Sequence, residues 1–123
     1  MKILIVEDEE ILRKVLQEKF AEEHFDVKTA VDGGAVVPLV KSWQPDLVLL
    51  DIILPKQDGL SVLQELKADA DLRSIPVIIT SNLGEDEKIK QALKLGAVDY
   101  LVKTQHPVQE IIDKVKHHLL QGK

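Results

Sequence analysis

The sequence predicts an α/β protein in which five parallel strands form one doubly wound sheet with helices on both faces. Short runs rich in Val, Ile and Leu recur along the chain, and a segment with helical spacing of apolar residues follows each of them. Right-handed crossovers between such strands place helices on both faces of the sheet. A length of 123 residues is typical of one domain, so residues 1–123 are expected to form a single domain.

Four apolar runs are expected to be buried strands, because continuous apolar sequence is typical of parallel strands covered on both faces. They cover residues 3–6, 47–50, 77–79 and 101–102, and Tyr100 precedes the last run. Residues 26–30 alternate polar and apolar side chains, which indicates a half-exposed edge strand.

Stripes of apolar residues three and four positions apart indicate helices with one side facing a core. The stripes are Ile11, Leu12, Val15, Leu16 and Phe20; Leu60, Leu63 and Leu66; Ile89, Ala92 and Leu93; and Val108, Ile111, Ile112, Val115 and Leu119. The remaining helix is expected over residues 32–43. Pro38 lies inside that segment and would remove a backbone hydrogen bond, so it would kink the helix or delay its start.

The composition argues against several classes of function. A formal charge of −5 offers no general attraction for nucleic acid or anionic lipid. Cysteine is absent, which excludes disulfides, thiolate catalysis and cysteine-based zinc sites. Glu7 and Asp8 end the first apolar run too early for a signal sequence or membrane span. We therefore expect a cytoplasmic protein that binds neither membrane nor nucleic acid directly.

Polar side chains follow four of the predicted strands. They are Glu7 and Asp8 after the first strand, Asp51 after the third, Thr80 after the fourth and Lys103 after the fifth. Ligands of open parallel sheets bind at the carboxyl ends of the strands. With a strand order of 2-1-3-4-5, as in flavodoxin, these four strands are neighbours. The five side chains are therefore expected to converge at one edge of the sheet.

Asp51 stands between two apolar runs, where an ionised carboxylate is costly unless something compensates it. Three acidic groups at one edge would repel one another, and a divalent cation would relieve that repulsion. Mg²⁺ suits such a site because it takes hard oxygen ligands and keeps several waters. A metal-bound aspartate can attack phosphorus and form an acyl phosphate. Lys103 and Thr80 would then contact the oxygens of the transferring phosphoryl group.

Four segments, ILIVEDEE, LVLLDIILPKQDGL, IPVIITS and GAVDYLVK, resemble the receiver domains of bacterial response regulators in order and spacing, over essentially the whole chain. The resemblance implies the flavodoxin-like receiver fold and Mg²⁺-dependent transfer of a phosphoryl group to Asp51. The donor would be the phosphohistidine of a sensor histidine kinase or a phosphotransfer protein. Phosphorylation would control an output protein or a homodimer through a face formed by residues 85–120, without turnover of an outside substrate.

The resemblance also implies a role for individual residues. The implied metal ligands are Glu7, Asp8, Asp51 and the carbonyl of Ile53. The implied phosphoryl-transfer residues are Asp51, Thr80 and Lys103, and the implied conformational switch pair is Thr80 and Tyr100. Pro55 and Gly59 match the loop and helix-start residues that shape the site. Ile53 and Asn82 flank the site and are the positions expected to control the lifetime of the acyl phosphate.

Two positions depart from the family pattern. Glu7 stands where the family most often has Asp, so its contact with the metal is expected to run through water. Thr104 follows Lys103, whereas the family usually has a cis proline there. A cis bond before a non-proline residue costs about 2.5–4 kcal/mol, which leaves the peptide geometry after Lys103 open. Pro107 is expected in the first turn of the last helix.

Two other functions compete with this interpretation. A phosphatase of the haloacid-dehalogenase type needs a second Asp two residues after its nucleophile, and Ile53 stands there. A flavin carrier or a docking module that is never phosphorylated is the other alternative. No glycine-rich loop follows the first strand, which disfavours the flavin carrier. The alternative to the switch role of Tyr100 is that of a core packing residue. The four histidines, His24, His106, His117 and His118, are expected to be surface residues.

Overall fold

The computed structural model describes residues 1–82, 84, 86–105 and 107–121. Within them, five parallel strands alternate with five α-helices. The strands are β1 (Lys2–Val6), β2 (Asp26–Ala30), β3 (Leu47–Asp51), β4 (Val77–Ser81) and β5 (Asp99–Val102). The helices are α1 (Glu10–Glu22), α2 (Val36–Trp43), α3 (Gly59–Ala68), α4 (Asp86–Lys94) and α5 (Val108–Gln121). The strand order β2-β1-β3-β4-β5 confirms the predicted topology.

Two apolar cores lie on opposite faces of the sheet, because successive strand residues point to opposite sides. Leu4 and Leu50 pack in the core under α2, α3 and α4. Ile3 and Leu49 pack in the core under α1 and α5. Fully burying a Leu or Ile side chain contributes roughly 1.5–3 kcal/mol to stability. The apolar cores on both faces therefore stabilise the sheet that carries the site.

The register aligns the carboxyl ends of the central strands. Val6 of β1 pairs with Leu50 of β3, and Asp51 of β3 pairs with Thr80 of β4. All five residues of β3 are buried. Residues that follow these strands therefore leave the sheet at one edge, as the sequence predicts.

The second helix begins later than expected. Residues 33–35 form a 3₁₀ turn, and the α-helix starts only at Val36. Asp32 caps the turn by accepting a hydrogen bond from the Ala35 backbone at 3.0 Å. Pro38 is then the third residue of α2, where a backbone nitrogen has no partner within the helix. The prediction of a helix from residue 32 is wrong by four positions, and the late start agrees with the delay expected from Pro38 as one of two effects.

The geometry of the peptide bond after Lys103, which the sequence left open, is seen in the segment after β5. No cis peptide bond occurs among the described residues, so the bond between Lys103 and Thr104 is trans. The chain turns through a 3₁₀ helix, Lys103–Gln105, and α5 begins at Val108. Pro107 precedes the helix instead of lying in its first turn. Its carbonyl accepts hydrogen bonds from the backbone N–H groups of Glu110 at 2.9 Å and Ile111 at 3.2 Å.

The helices within the described residues are too short or too polar to cross a lipid bilayer.

Candidate functional site

A cleft of about 150 Å³ opens at the carboxyl edge of the sheet. Its walls come from the ends of β1, β3, β4 and β5 and are formed by Asp8, Glu9, Asp51, Ile53, Asn82 and Lys103. The two other predicted site residues at these strand ends, Glu7 and Thr80, are only 1% and 4% exposed. The structure therefore brings the predicted strand-end residues together, with Glu7 and Thr80 behind the cleft wall.

Asp51 is the last residue of β3 and is 4% exposed. Its Oδ1 accepts a hydrogen bond from the Ile53 backbone at 3.3 Å, and its Oδ2 lies 3.0 Å from Lys103 Nζ. A buried carboxylate needs such partners because burial without them is costly. The carboxylate is thus held at the floor of the cleft by one backbone donor and one ammonium group.

The loop after Asp51 is shaped by a glycine. A Cβ atom on Gly59 would lie 2.2 Å from the carbonyl oxygen of Asp51, closer than packed atoms approach. With glycine at this position, the Gly59 N–H donates a hydrogen bond to the carbonyl oxygen of Ile52 at 2.7 Å. Asp58 caps α3 by accepting from the Ser61 backbone at 3.0 Å. The start of α3 therefore packs directly against the acceptor residue, in agreement with the role that the resemblance implies for Gly59.

Pro55 joins this loop to the neighbouring 3₁₀ turn. Its carbonyl accepts hydrogen bonds from the backbones of Gly33 at 3.1 Å and Gln57 at 2.8 Å. A Cβ atom on Gly33 would collide with the Gln57 carbonyl, so the turn and the loop can approach each other only with glycine at this position. The segment following Asp51 is consequently supported from two sides, by α3 and by the turn before α2.

Three carboxylates form the acidic cluster of the site. Glu7, Asp8 and Asp51 each offer an oxygen atom, and these atoms lie within 4.8 Å of one another. Asp8 is exposed, whereas the other two are buried. One lysine, Lys103, faces them, so three ionised carboxylates would leave excess negative charge in a poorly solvated place. Such an arrangement favours the binding of a proton or a cation.

Glu7 is the most deeply buried of the three carboxylates, at 1% exposed. Its buried Oε1 atom lies 2.5 Å from the Lys103 ammonium, and its Oε2 atom accepts a hydrogen bond from the Glu9 backbone at 3.2 Å. Burial raises the pKa of Glu7 to about 7, and the charge of Asp51 acts in the same direction, while Lys103 partly opposes both. Carboxylate oxygens grouped around a water-accessible acid are the hard oxygen ligands that Mg²⁺ prefers. The residues present therefore fit a magnesium site.

Lys103 follows β5 and contacts both buried acids of the cluster. Burial acts to lower the pKa of its ammonium group, but hydrogen-bonding and charge interactions with Glu7 and Asp51 outweigh burial and raise the pKa. The side chain is 9% exposed. Lys103 thus stays charged and points into the cleft, where it can meet an anionic ligand.

The predicted switch residues lie on neighbouring strands but on different faces of the sheet. The register partner of Thr80 is Leu101, which packs under α1 and α5. Tyr100 is 8% exposed and packs in the core under α2, α3 and α4. Because strand residues alternate between faces, the side chains of Thr80 and Tyr100 leave the sheet on opposite sides, and the segment after β4 follows Thr80 closely in the chain. Leu83 and Glu85 of that segment lie outside the described residues.

Two residues near the acidic cluster were not predicted from the sequence, Glu9 and Arg13. Glu9 lines the cleft, and its backbone donates a hydrogen bond to Glu7 Oε2 at 3.2 Å. Arg13 on α1 donates from Nη1 to the carbonyls of Glu7 at 3.1 Å and Asp8 at 3.4 Å. The segment EDEEILR contained these residues, but only the loop conformation shows what they contact.

The histidines give a mixed result. His24 and His117 are exposed, as predicted, and His106 lies outside the described residues. His118 is only partly exposed, at 21% of its side chain, and its Nε2 lies 2.9 Å from Asp99 Oδ2, a contact that the sequence did not predict. The reason is the packing of α5 on β5, which places the end of this helix beside the start of the strand.

A doubly wound sheet with an acidic cluster, a buried aspartate and a strand-end lysine at its carboxyl edge defines the receiver class of signalling domain. A sequence model of the response regulator receiver domain matches residues 3–116. The chain belongs to this family. Members of the family take phosphoryl groups from histidine kinases, act on output domains and bind Mg²⁺ at an acidic pocket.

Individual relatives agree with this assignment. The chemotaxis protein CheY of Halobacterium salinarum is 36% identical over 103 residues, which cover 83% of each chain. The probable transcriptional regulator ycf27 of Guillardia theta is 41% identical over 106 residues, covering 86% of this chain and 41% of the relative. The chain spans about two fifths of the length of the ycf27 relatives.

A solved structure shows the same architecture. The crystal structure of the phosphorylated cyanobacterial phytochrome response regulator RcpA superimposes with a TM-score of 0.87 at 30% sequence identity. The alignment covers 99% of this chain and 95% of that one. The fold and the order of its elements are therefore those of a response regulator.

Proposed function

We propose that residues 1–123 form a single receiver domain in which Asp51 accepts a phosphoryl group from the phosphohistidine of a histidine kinase or phosphotransfer protein. The observation that carries this proposal is the position of Asp51. It is a buried carboxylate at the end of the central strand, it contacts Lys103 at 3.0 Å, and it shares an acidic cluster with Glu7 and Asp8. A structural role alone would not require two further acids at this place.

In the transfer step, a carboxylate oxygen of Asp51 forms a bond to phosphorus, and the phosphorus–nitrogen bond of the donor breaks. The electron pair of that bond remains with the departing imidazole. Lys103 would shift its ammonium from Asp51 toward the phosphoryl oxygens, and the hydroxyl of Thr80 would donate to them. Attack of water on phosphorus would later release inorganic phosphate and restore the carboxylate. The amount of signal then depends on how long the acyl phosphate lasts.

We assign the metal site to Glu7, Asp8, Asp51 and the carbonyl of Ile53. When bound there, Mg²⁺ would offset the negative charge of the acceptor and of the incoming phosphoryl group. Glu7, which has a longer side chain than the usual Asp and is buried, would act through water. Ile53 is 57% exposed, and with Asn82 it flanks the opening through which water reaches the site.

The readout is proposed to be a two-state change. A phosphoryl group adds negative charge beside Thr80 and Lys103 and would draw the Thr80 hydroxyl toward it. Tyr100 would respond through the segment after β4, and the face formed by residues 85–120 would then bind an output protein or a second copy of the chain. We place this exchange in the cytoplasm, without direct contact to membrane or nucleic acid.

Treatment with acetyl phosphate and Mg²⁺, followed by intact-mass measurement, tests the proposal. We expect one phosphoryl adduct that chelation of Mg²⁺ prevents and that Asp51→Asn abolishes. Asp113→Asn, an exposed change on α5, is the matched control and should leave the adduct in place. Absence of an adduct in the wild type would favour a docking module that is never phosphorylated. Sustained release of phosphate from phosphomonoesters would favour the phosphatase alternative.

A further inference from the structure

We propose that Arg13 is a positioning residue for the metal site, a role that rests on the function proposed above. Arg13 does not line the cleft, and it is not among the residues that the family resemblance assigns to the site. It acts on the backbone of the loop between β1 and α1, which carries the two acids Glu7 and Asp8. The guanidinium would hold this loop so that both side chains face Asp51.

The side chain of Arg13 contacts two consecutive backbone carbonyls of the loop between β1 and α1. Its Nη1 atom donates to the carbonyl of Glu7 at 3.1 Å and, in a longer contact, to that of Asp8 at 3.4 Å. Consecutive carbonyls with a common donor must point the same way, which restricts the backbone rotation between them. The directions in which the two carboxylates leave the backbone are restricted as a result.

Two further hydrogen bonds connect the backbone of Arg13 to the side chain of Glu7 through Glu9. The Arg13 backbone donates to Glu9 at 2.9 Å, and the Glu9 backbone donates to Glu7 Oε2 at 3.2 Å. The guanidinium is therefore anchored on the first turn of α1, while the same turn holds one carboxylate oxygen of Glu7. The loop is fixed at its carbonyls and at a side chain, and Asp8 is the member of the cluster left open to solvent.

A positioning role and a purely electrostatic role of Arg13 predict opposite changes in Mg²⁺ affinity when Arg13 is replaced. Removing a positive charge near a cation site should strengthen Mg²⁺ binding, because like charges repel. Releasing the loop should weaken Mg²⁺ binding, because groups that orient metal ligands typically contribute 10–100-fold to affinity. The direction of the change in affinity therefore shows which role Arg13 has.

The experiment compares Arg13→Met, Arg13→Lys and Lys14→Met by calorimetric titration with MgCl₂. Lys14→Met removes the same charge from the next position of α1, where Lys14 is 64% exposed and pairs with Glu10 at 2.8 Å. We expect about tenfold weaker binding in Arg13→Met, at the lower end of the range for such groups. Arg13→Lys should fall between it and the wild type, since one ammonium can donate to both carbonyls. Lys14→Met should bind Mg²⁺ as tightly as the wild type or slightly more tightly.

A second measurement is made without metal. Amide hydrogen exchange at Glu9 should be faster in Arg13→Met than in Lys14→Met, because the loop that presents Glu7 Oε2 to this amide is no longer held. Unchanged or tighter Mg²⁺ binding in Arg13→Met, or unchanged exchange at Glu9, would overturn the positioning role. A loss of stability alone would lower the melting temperatures with and without Mg²⁺ equally, and this result would also count against it.

The outcomes separate this inference from the proposed function. If the wild type forms no adduct with acetyl phosphate, the function proposed for Asp51 fails whatever Arg13 does. If the wild type is phosphorylated and Arg13→Met needs no more Mg²⁺ than the wild type for half-maximal phosphorylation, only the positioning role fails. We expect Arg13→Met to need about tenfold more Mg²⁺ and to reach the wild-type rate at saturation.

Discussion

Replacing Glu7 with Gln should change how the stability of the metal-free protein depends on pH. Glu7 is 1% exposed, and burial raises its pKa from 4.5 to about 7. Gln resembles the protonated acid in shape and remains neutral at every pH. The variant therefore removes the titration of this one group while it keeps the packing around it.

The sign follows from proton binding. Between pH 4.5 and about 7, the folded protein holds a proton on Glu7 that the unfolded chain has released. The free energy of unfolding therefore falls as the pH rises through this window and becomes level above it. Each unit of pKa difference corresponds to about 1.4 kcal/mol, so the loss approaches about 3 kcal/mol. Glu7→Gln should not show this loss.

Urea denaturation at pH 5 and pH 8 in the presence of a chelator measures the effect. Other titrating groups are common to both proteins, so the difference between wild type and Glu7→Gln isolates Glu7. We expect the variant to gain on the wild type by up to about 3 kcal/mol between the two pH values. Glu18→Gln, an exposed change on α1, is the control and should follow the wild type.

Addition of Mg²⁺ extends the same measurement. Protons and Mg²⁺ compete for Glu7, so Mg²⁺ should stabilise the wild type more at pH 8 than at pH 5. If wild type and Glu7→Gln lost the same stability between pH 5 and pH 8, Glu7 would already be ionised at pH 5. This result would refute the claim that Glu7 carries a proton near neutral pH because the acidic cluster lacks a compensating cation.

Three further changes test separate parts of the structure. Gly59→Ala should lower the free energy of unfolding by about 1–3 kcal/mol, because its Cβ would meet the Asp51 carbonyl at 2.2 Å; an unchanged denaturation midpoint would contradict this. Lys103→Met should slow labelling by radioactive acetyl phosphate about 10²–10³-fold through loss of the phosphate-binding ammonium, whereas a rate near wild type would remove Lys103 from the mechanism. His118→Gln should cost no more than about 1 kcal/mol at pH 6, since the pair with Asp99 is partly exposed, and a loss of several kcal/mol in urea denaturation would show that the pair is a structural anchor.

The strands were predictable because burial on both faces leaves continuous apolar runs. The runs at residues 47–50 and 77–79 lie within the observed β3 and β4, and their polar ends, Asp51 and Thr80, pair in register. The alternating segment Asp26–Ala30 was correctly recognised as an edge strand. Convergence at the carboxyl edge follows from topology alone, so the location of the site required no knowledge of side-chain contacts.

The exact start of α2 was less predictable, since the turn before it combines a local cap at Asp32 with an approach of Gly33 to a loop distant in sequence. Gly33 approaches the loop after β3, and Asp32 caps a 3₁₀ turn that periodicity does not reveal. Likewise, an arginine in an amphipathic helix has an ordinary solvent-facing interpretation. The contacts of Arg13 with the β1–α1 loop depend on loop conformation, for which the sequence carries no periodic signal.

The pairing of His118 with Asp99 depends on how α5 crosses the sheet. Helical spacing predicts which side of α5 is buried, but it does not specify which strand residue meets its last turn. The opposite faces of Thr80 and Tyr100 have a similar origin. Thr80 was predicted to follow the fourth strand and Tyr100 to precede the last apolar run, whereas both lie within the observed strands. Their relation needs the register between β4 and β5.

The most direct test of the account locates the phosphoryl group. After phosphorylation with acetyl phosphate and Mg²⁺, borohydride reduces an acyl phosphate to an alcohol, and peptide mass measurement identifies the modified residue. We expect reduction of Asp51 to homoserine in the Mg²⁺-treated wild type and no reduction when Mg²⁺ is chelated. A phosphoryl group that resists reduction, or reduction at a different carboxylate, would contradict the assignment of Asp51 as the acceptor.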